Sequence, residues 1–252
     1  MSSSQPARES KVPEVTLLFW LVKIAATTLG ETAGDAVSMS MGLGYLVGTA
    51  IFGALFAAMV AAQMRAKRFH PAIYWATIIA TTTVGTTLAD FADRSLHIGY
   101  AGGSSLLLAL LLLSLFAWHR VMGTVSVESV RTPKAEAFYW TTIMFSQTLG
   151  TALGDWTADS AGLGYLGSAA LFCGLLALVA AAWRWTKASR AGLFWAAFIL
   201  TRPLGAVLGD FFDKPHASGG LALSRYTASG VLLAFIGACL LLFPQKPARQ
   251  AH

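Results

Sequence analysis

The stretch "TLGETAGD", Thr28 to Asp35, places two carboxylates in a run that is otherwise suited to lipid. All seven aspartates of the chain belong to such phrases: Asp35, Asp90, Asp93, Asp155, Asp159, Asp210 and Asp213. Glu31 is the one glutamate that joins them. On a helix, Glu31 and Asp35 share a face at i, i+4, as do Asp155 and Asp159, while Asp90/Asp93 and Asp210/Asp213 do so at i, i+3. Carboxylate, hydroxyl and carbonyl oxygens suit hard or borderline cations such as Mg, Ca and Mn. Glu31, Asp35, Asp90, Asp155, Asp159 and Asp210 are therefore the candidate metal ligands. Thr27, Thr28, Thr82, Thr83, Ser146 and Thr148 offer hydroxyls close in sequence, Met39 and Met41 soft atoms, and His97 and His216 imidazoles in nearby loops.

A carboxylate at membrane depth costs roughly 2.5–3.5 kcal/mol on insertion scales. The bases near the eight acids are Lys23, Arg94, Arg202 and Lys214, which leaves four negative charges unmatched. Such acids must be protonated, hydrated or holding cations. Lys23 and Arg202 are expected to pair with carboxylates of neighbouring helices. Asp93 and Asp213, each followed by a base, are expected to pair near the surface. Gln147 stands in the third phrase where Arg202 stands in the fourth, an asymmetry that favours one preferred site over a symmetric pore.

The acids recur because the chain repeats. Trp20, Trp75, Trp140 and Trp195 each precede a glycine by ten residues: Gly30, Gly85, Gly150 and Gly205. Four residues later comes a small residue (Gly34, Ala89, Gly154, Gly209), then aspartate, with offsets of 55, 65 and 55 residues between copies. Gly-x-x-x-Gly spacing lets helices approach closely, so Gly30, Gly34, Gly85, Gly150, Gly154, Gly205 and Gly209 are read as packing positions. Odd copies continue as Gly-Leu-Gly-Tyr (Gly42 to Tyr45, Gly162 to Tyr165). Even copies read "ADFADR" and "GDFFDK". Each copy then has a second apolar run without acids: 45–63, 100–118, 165–185 and 226–243.

The expected fold is all-α and polytopic: eight transmembrane helices arranged as four parallel two-helix repeats in two pseudo-symmetric halves. Its parts are an N-terminal tail (1–13), a first half (14–118), a linker (119–135), a second half (136–243) and a C-terminal tail (244–252). Both tails and the linker are expected in the cytoplasm. The composition agrees, at 56% hydrophobic and only 12% charged, about half the charge of a soluble domain. Thirteen Lys and Arg lie on the side of the termini and three on the other, which by the positive-inside rule makes the termini cytoplasmic in a bacterial inner membrane. The net charge of +6 thus reports topology and not nucleic acid. The tryptophans then mark an aromatic belt at the inner interface. At 1.5 Å per residue each first aspartate lies roughly 22 Å beyond its tryptophan, in the outer half of a hydrocarbon core about 30 Å thick. Cys173 and Cys239 lie in apolar runs and form neither a metal motif nor a disulfide framework. The polar start followed by a run carrying Lys23, Glu31 and Asp35 does not read as a cleavable signal.

The four Trp-x9-Gly-x3-Gly/Ala-Asp units, with Gly-Leu-Gly-Tyr in the odd copies, resemble a bacterial family of membrane-anchored proteins built from a four-copy membrane repeat of unknown function. That resemblance covers about residues 14–243 and implies the fold. A second similarity is to manganese and calcium exporters, whose helices carry Glu-x-Gly-Asp. Here the phrase is one residue longer, Glu31 to Asp35, and the other three copies lack the glutamate. The expected function is a membrane transporter, a proton-coupled exporter of a divalent cation such as Mn2+. A passive cation or proton channel and a scaffold without transport are the alternatives. No cofactor is expected, the partners being the bilayer and the cation. With no nucleophile triad, phosphate loop or His-Glu-x-x-His, no enzyme is expected.

Overall fold

The computed structural model describes residues 10–248. Arg8, Arg249 and the outer parts of the two tails lie outside the described residues. Eight long helices make up the described chain: α1 (Leu17–Asp35), α2 (Gly44–Arg65), α3 (Pro71–Asp90), α4 (Tyr100–Met122), α5 (Pro133–Asp155), α6 (Gly164–Trp185), α7 (Arg190–Asp213) and α8 (Arg225–Leu242). Local chemistry sets their starts. The side chains of Thr16, Thr132 and Ser189 accept the backbone N–H of Phe19, Ala135 and Gly192, capping α1, α5 and α7. Pro71 and Pro133 occupy the first helical turn, where a missing N–H is harmless.

The ends of the odd-numbered helices are less regular. After Asp35, Asp90 and Asp155 the chain widens into one π-helical turn (Ala36–Ser40, Phe91–Ser95, Trp156–Ser160), whereas α7 runs on to Asp213 and stops before Pro215. In the odd copies the turn into the next helix needs a left-handed backbone twice, at Gly42 and Gly44 (φ 69° and 75°) and at Gly162 and Gly164 (φ 70° and 63°). Glycine adopts that backbone without steric penalty, which explains Gly-Leu-Gly-Tyr.

Six helices are long and apolar enough to cross a membrane: α2, α3 with its π turn, α4, α6, α7 and α8. The surroundings this points to are a bilayer. Leu46, Ile51, Leu106, Leu112, Leu166, Leu178, Val231 and Leu241 stand exposed along α2, α4, α6 and α8, a liability in water. The two remaining long helices, α1 and α5, fall short of that mark, and they are largely buried. The principal packing joins α1, α3, α5 and α7 in a ring, each touching the next and α7 closing on α1. Outside it, α2 packs on α3, α4 on α5, α6 on α7 and α8 on α1. Each outer helix therefore rests on the ring helix of the next repeat, and α8 completes the circuit.

The four tryptophans do not form a lipid-facing belt. Trp75, Trp140 and Trp195 are buried and Trp20 partly so, packed with Phe19, Tyr74, Tyr139, Phe194 and Trp118 in one aromatic core. This core fills the end of the ring opposite the acids. Two indole N–H groups find partners there, Trp75 donating to Gln245 Oε1 (2.8 Å) and Trp195 to the Val125 carbonyl (2.9 Å). Segments near both termini close over it. Glu14 N donates to the Lys246 carbonyl, Ala248 N to the Val12 carbonyl, and Lys11 pairs with Glu136 at 2.8 Å.

Candidate functional site

The ring helices run in the same sense, since their starts share the aromatic core and their ends share the acids. Glycine sets how close they come. A methyl on Gly30 would collide with Thr82, on Gly150 with Arg202 and on Gly205 with Thr27, and on Gly85 it would press on Gln147 at 3.0 Å. The colliding residues stand at equivalent positions, seven past each tryptophan, always on the next ring helix. One turn on, a methyl on Gly34 would stand 3.0 Å from Thr86, on Gly154 3.0 Å from Ala206, and on Gly209 2.6 Å from Glu31. A single contact rule thus runs around the whole circuit.

That closeness puts side chains of all four helices on a common axis. Arg202, 0% exposed, extends past Gly150 and presents Nη2 to the other three helices. It lies 3.0 Å from Glu31 Oε2, 2.6 Å from Thr86 Oγ1 and 2.5 Å from Thr151 Oγ1. Glu31, Thr86 and Thr151 are themselves equivalent residues, and the fourth is Ala206. Thr86 also donates to Glu31 Oε2 at 3.2 Å. The guanidinium serves as a hub for its layer, and charge-assisted hydrogen bonds of this kind are the stronger class.

The four first aspartates form the next layer, each buried: Asp35, Asp90, Asp155 and Asp210. Bases cover them from the open end. Lys214 Nζ lies 2.6 Å from Asp35 Oδ2 and 2.9 Å from Asp210 Oδ1. Arg225 pairs with Asp213 at 2.6 Å and approaches Asp35 at 3.8 Å. Arg94 stands 2.8 Å from Asp90 Oδ1, off the hydrogen-bond line, and 3.8 Å from Asp155 Oδ2. Burial opposes the charge on Lys214, but Asp210, Asp35 and Asp213 outweigh it and hold its ammonium well above the usual lysine range. Two sets of three carboxylates bring oxygens within 4.8 Å of one another: Glu31, Asp155 and Asp210, and Asp35, Asp210 and Asp213. Asp210 belongs to both.

The repeat that builds this site matches a known family model. Its description is Repeat of Unknown Function (DUF347), and it matches residues 18–69, 73–124, 138–189 and 193–243. The chain belongs to this family. Each match spans one ring helix and the outer helix that follows it. No curated protein and no solved structure matches the chain.

Of the residues singled out by sequence, the structure brings together Glu31, Asp35, Asp90, Asp155, Asp210, Asp213 and Arg202. Three expectations are corrected. Asp159 lies outside the cluster, exposed on the π turn where the chain leaves the ring. Asp93 makes no ion pair among the described residues, because Arg94 turns to Asp90 and Asp155. Lys23 meets no carboxylate either. It lies two turns below Glu31 with Nζ 4.1 Å over the Phe198 ring and no hydrogen-bond partner among the described residues. The site also draws in Arg225, brought by closure of the ring through α8. Six buried carboxylates then face Arg94, Arg202, Lys214 and Arg225, so the formal surplus among the described residues, with every group counted as ionised, is two negative charges, not four. The hydroxyls at the hub are Thr86 and Thr151. Thr28, Thr83 and Thr148 instead donate to carbonyls of their own helices, and Thr27 to carbonyls of its own helix and of Thr201 on α7. His97 and His216 are engaged with loop carbonyls of Ser95 and Gly220.

Proposed function

We propose that the protein is a membrane transporter, a proton-coupled exporter of a divalent cation such as Mn2+, working through the carboxylate cluster. The observation that carries this reading is the surplus of two buried negative charges, the charge of one divalent cation or of two protons. A cation entering the Asp35–Asp210–Asp213 oxygens displaces Lys214, which already sits there as an internal counter-charge. Three oxygens from three carboxylates, completed by water, suit a hard divalent ion. Protons arriving in its place neutralise the same acids, so either occupant relieves the electrostatic penalty and the two alternate.

In this reading all eight helices cross the bacterial inner membrane as four parallel repeats, with both termini in the cytoplasm and the acids towards the outside. Helices α1 and α5 cross as members of the ring, covered by α8 and α4. A carrier is favoured over a passive channel because the axis is filled twice, by Arg202 at the hub and by the aromatic core with its Tyr74–Tyr139 hydroxyl contact of 2.7 Å. Liposomes containing the full chain and an opposed pH gradient test the proposal. Saturable, gradient-dependent Mn2+ flux that Asp210→Asn abolishes is expected. Unsaturable, gradient-independent flux would make the protein a channel, and no flux above empty liposomes would leave a scaffold.

A further inference from the structure

Below the hub, towards the aromatic core, the same axis carries a second set of polar side chains of opposite character. Lys23, Thr82, Gln147 and Arg202 are each 0% exposed. Lys23 Nζ, Thr82 Oγ1, both amide atoms of Gln147, and Arg202 Nε and Nη1 have no hydrogen-bond partner among the described residues. Thr82 differs here from Thr81 and Thr83, whose hydroxyls are spent on Ile78 and Ile79 carbonyls of their own helix.

Thr82, Gln147 and Arg202 occupy equivalent positions on α3, α5 and α7, and Arg202 Nη2 reaches side chains of all three other ring helices. Lys23 enters from α1 one turn lower, its Nζ against the ring of Phe198, which stands one turn before Arg202 on α7. The two layers lie four residues, about 6 Å of helix rise, apart. Buried polar groups in a membrane protein need partners, whether protein or not.

The chemistry of the partner follows from the inventory of unmet groups. Ammonium, guanidinium and amide N–H are donors only, and a hydroxyl donates as readily as it accepts. One atom of the set, Gln147 Oε1, is an obligate acceptor. The missing species must therefore accept from several donors at once. Its charge follows as well: Glu31 answers Arg202, whereas among the described residues Lys23 meets the Phe198 ring and no anion. We propose that Lys23, Thr82, Gln147 and the unpaired edge of Arg202 form a buried site for one small monovalent anion of halide size. The site is separate from the carboxylate cluster above it, and the hub stands between the two. An anion here makes a charged Lys23 tolerable inside the bundle, and it sets a negative ion below Arg202 opposite Glu31, holding the guanidinium from both sides.

The test is equilibrium dialysis of radioactive chloride against the purified full chain, held in sodium gluconate so that no other halide competes. One saturable chloride per chain is expected, with affinity reduced about tenfold or more in Lys23→Met, the loss of a charge-assisted contact. Asp210→Asn is expected to bind chloride as the wild type does, which keeps this result apart from the fate of the cation proposal. Should Lys23→Met fail to fold, Gln147→Leu and Thr82→Val each read the same site and are expected to weaken binding several-fold. Absence of saturable chloride binding in the wild type would mean that water alone fills the space. Undiminished binding in the variants would place the ion elsewhere. Either result overturns the inference.

Discussion

Glu31 and Arg202 form an ion pair across the ring. Both are buried, 3.0 Å apart, and Arg202 answers side chains on three helices. Removing one member of a buried pair strands the other, which typically costs about 3–5 kcal/mol, whereas removing both is often far milder. Arg202→Met is therefore expected to destabilise the full chain by that amount in detergent unfolding. Arg202→Met combined with Glu31→Gln should lose less than the single variant. Additive losses would mean that the pair does not act as a unit. Much of this chemistry is legible in the sequence, because a charge inside an apolar helix is rare enough to stand out. Thr86 and Thr151 are not, since a threonine in a helix ordinarily spends its hydroxyl on its own backbone. Lys23 is visible but misleading: spacing along one helix places it near acids in sequence, while only the packing decides what faces it.

Among the elements, the ring helices are fixed by glycine and the outer helices by apolar surface. Hydropathy identifies the four outer helices to within a few residues, and the Gly-x-x-x-Gly spacing marks the faces that meet. It does not reveal which helix meets which. The outer helix of each repeat rests on the ring helix of the next, a consequence of how four copies close and not of any one copy's composition. The glycines test that arrangement. Gly209→Ala sets a methyl 2.6 Å from Glu31 Cβ. Overpacking of this kind costs typically about 1–3 kcal/mol. Gly150→Ala, against the Arg202 stem, should cost a similar amount. By contrast Gly174→Ala in α6 meets nothing within 4 Å and should be neutral or stabilising by up to about 1 kcal/mol. Equal effects of all three on the unfolding midpoint would refute the contact rule.

For the whole molecule, the closed circuit explains why the acids are tolerated. Four apolar helices, α2, α4, α6 and α8, shield the ring, the aromatic core plugs one end, and chain segments beside both termini close over that plug. The polar interior is enclosed on every side except under Arg94, Lys214 and Arg225. Arg225 shows the limit of reading by local sequence: it begins α8, the helix farthest along the chain, yet reaches Asp213 and the α1 residue Asp35 because α8 packs back on α1. The central claim is that the cluster's two surplus charges hold one divalent cation. Its most direct measurement is the thermal unfolding midpoint of the purified full chain titrated with Mn2+, beside Asp210→Asn. A saturable rise is predicted for the wild type, about 2.7 kcal/mol at a hundred times the dissociation constant, and none for the variant. A midpoint indifferent to Mn2+, Ca2+ and Mg2+, or one that rises equally in both proteins, would contradict it.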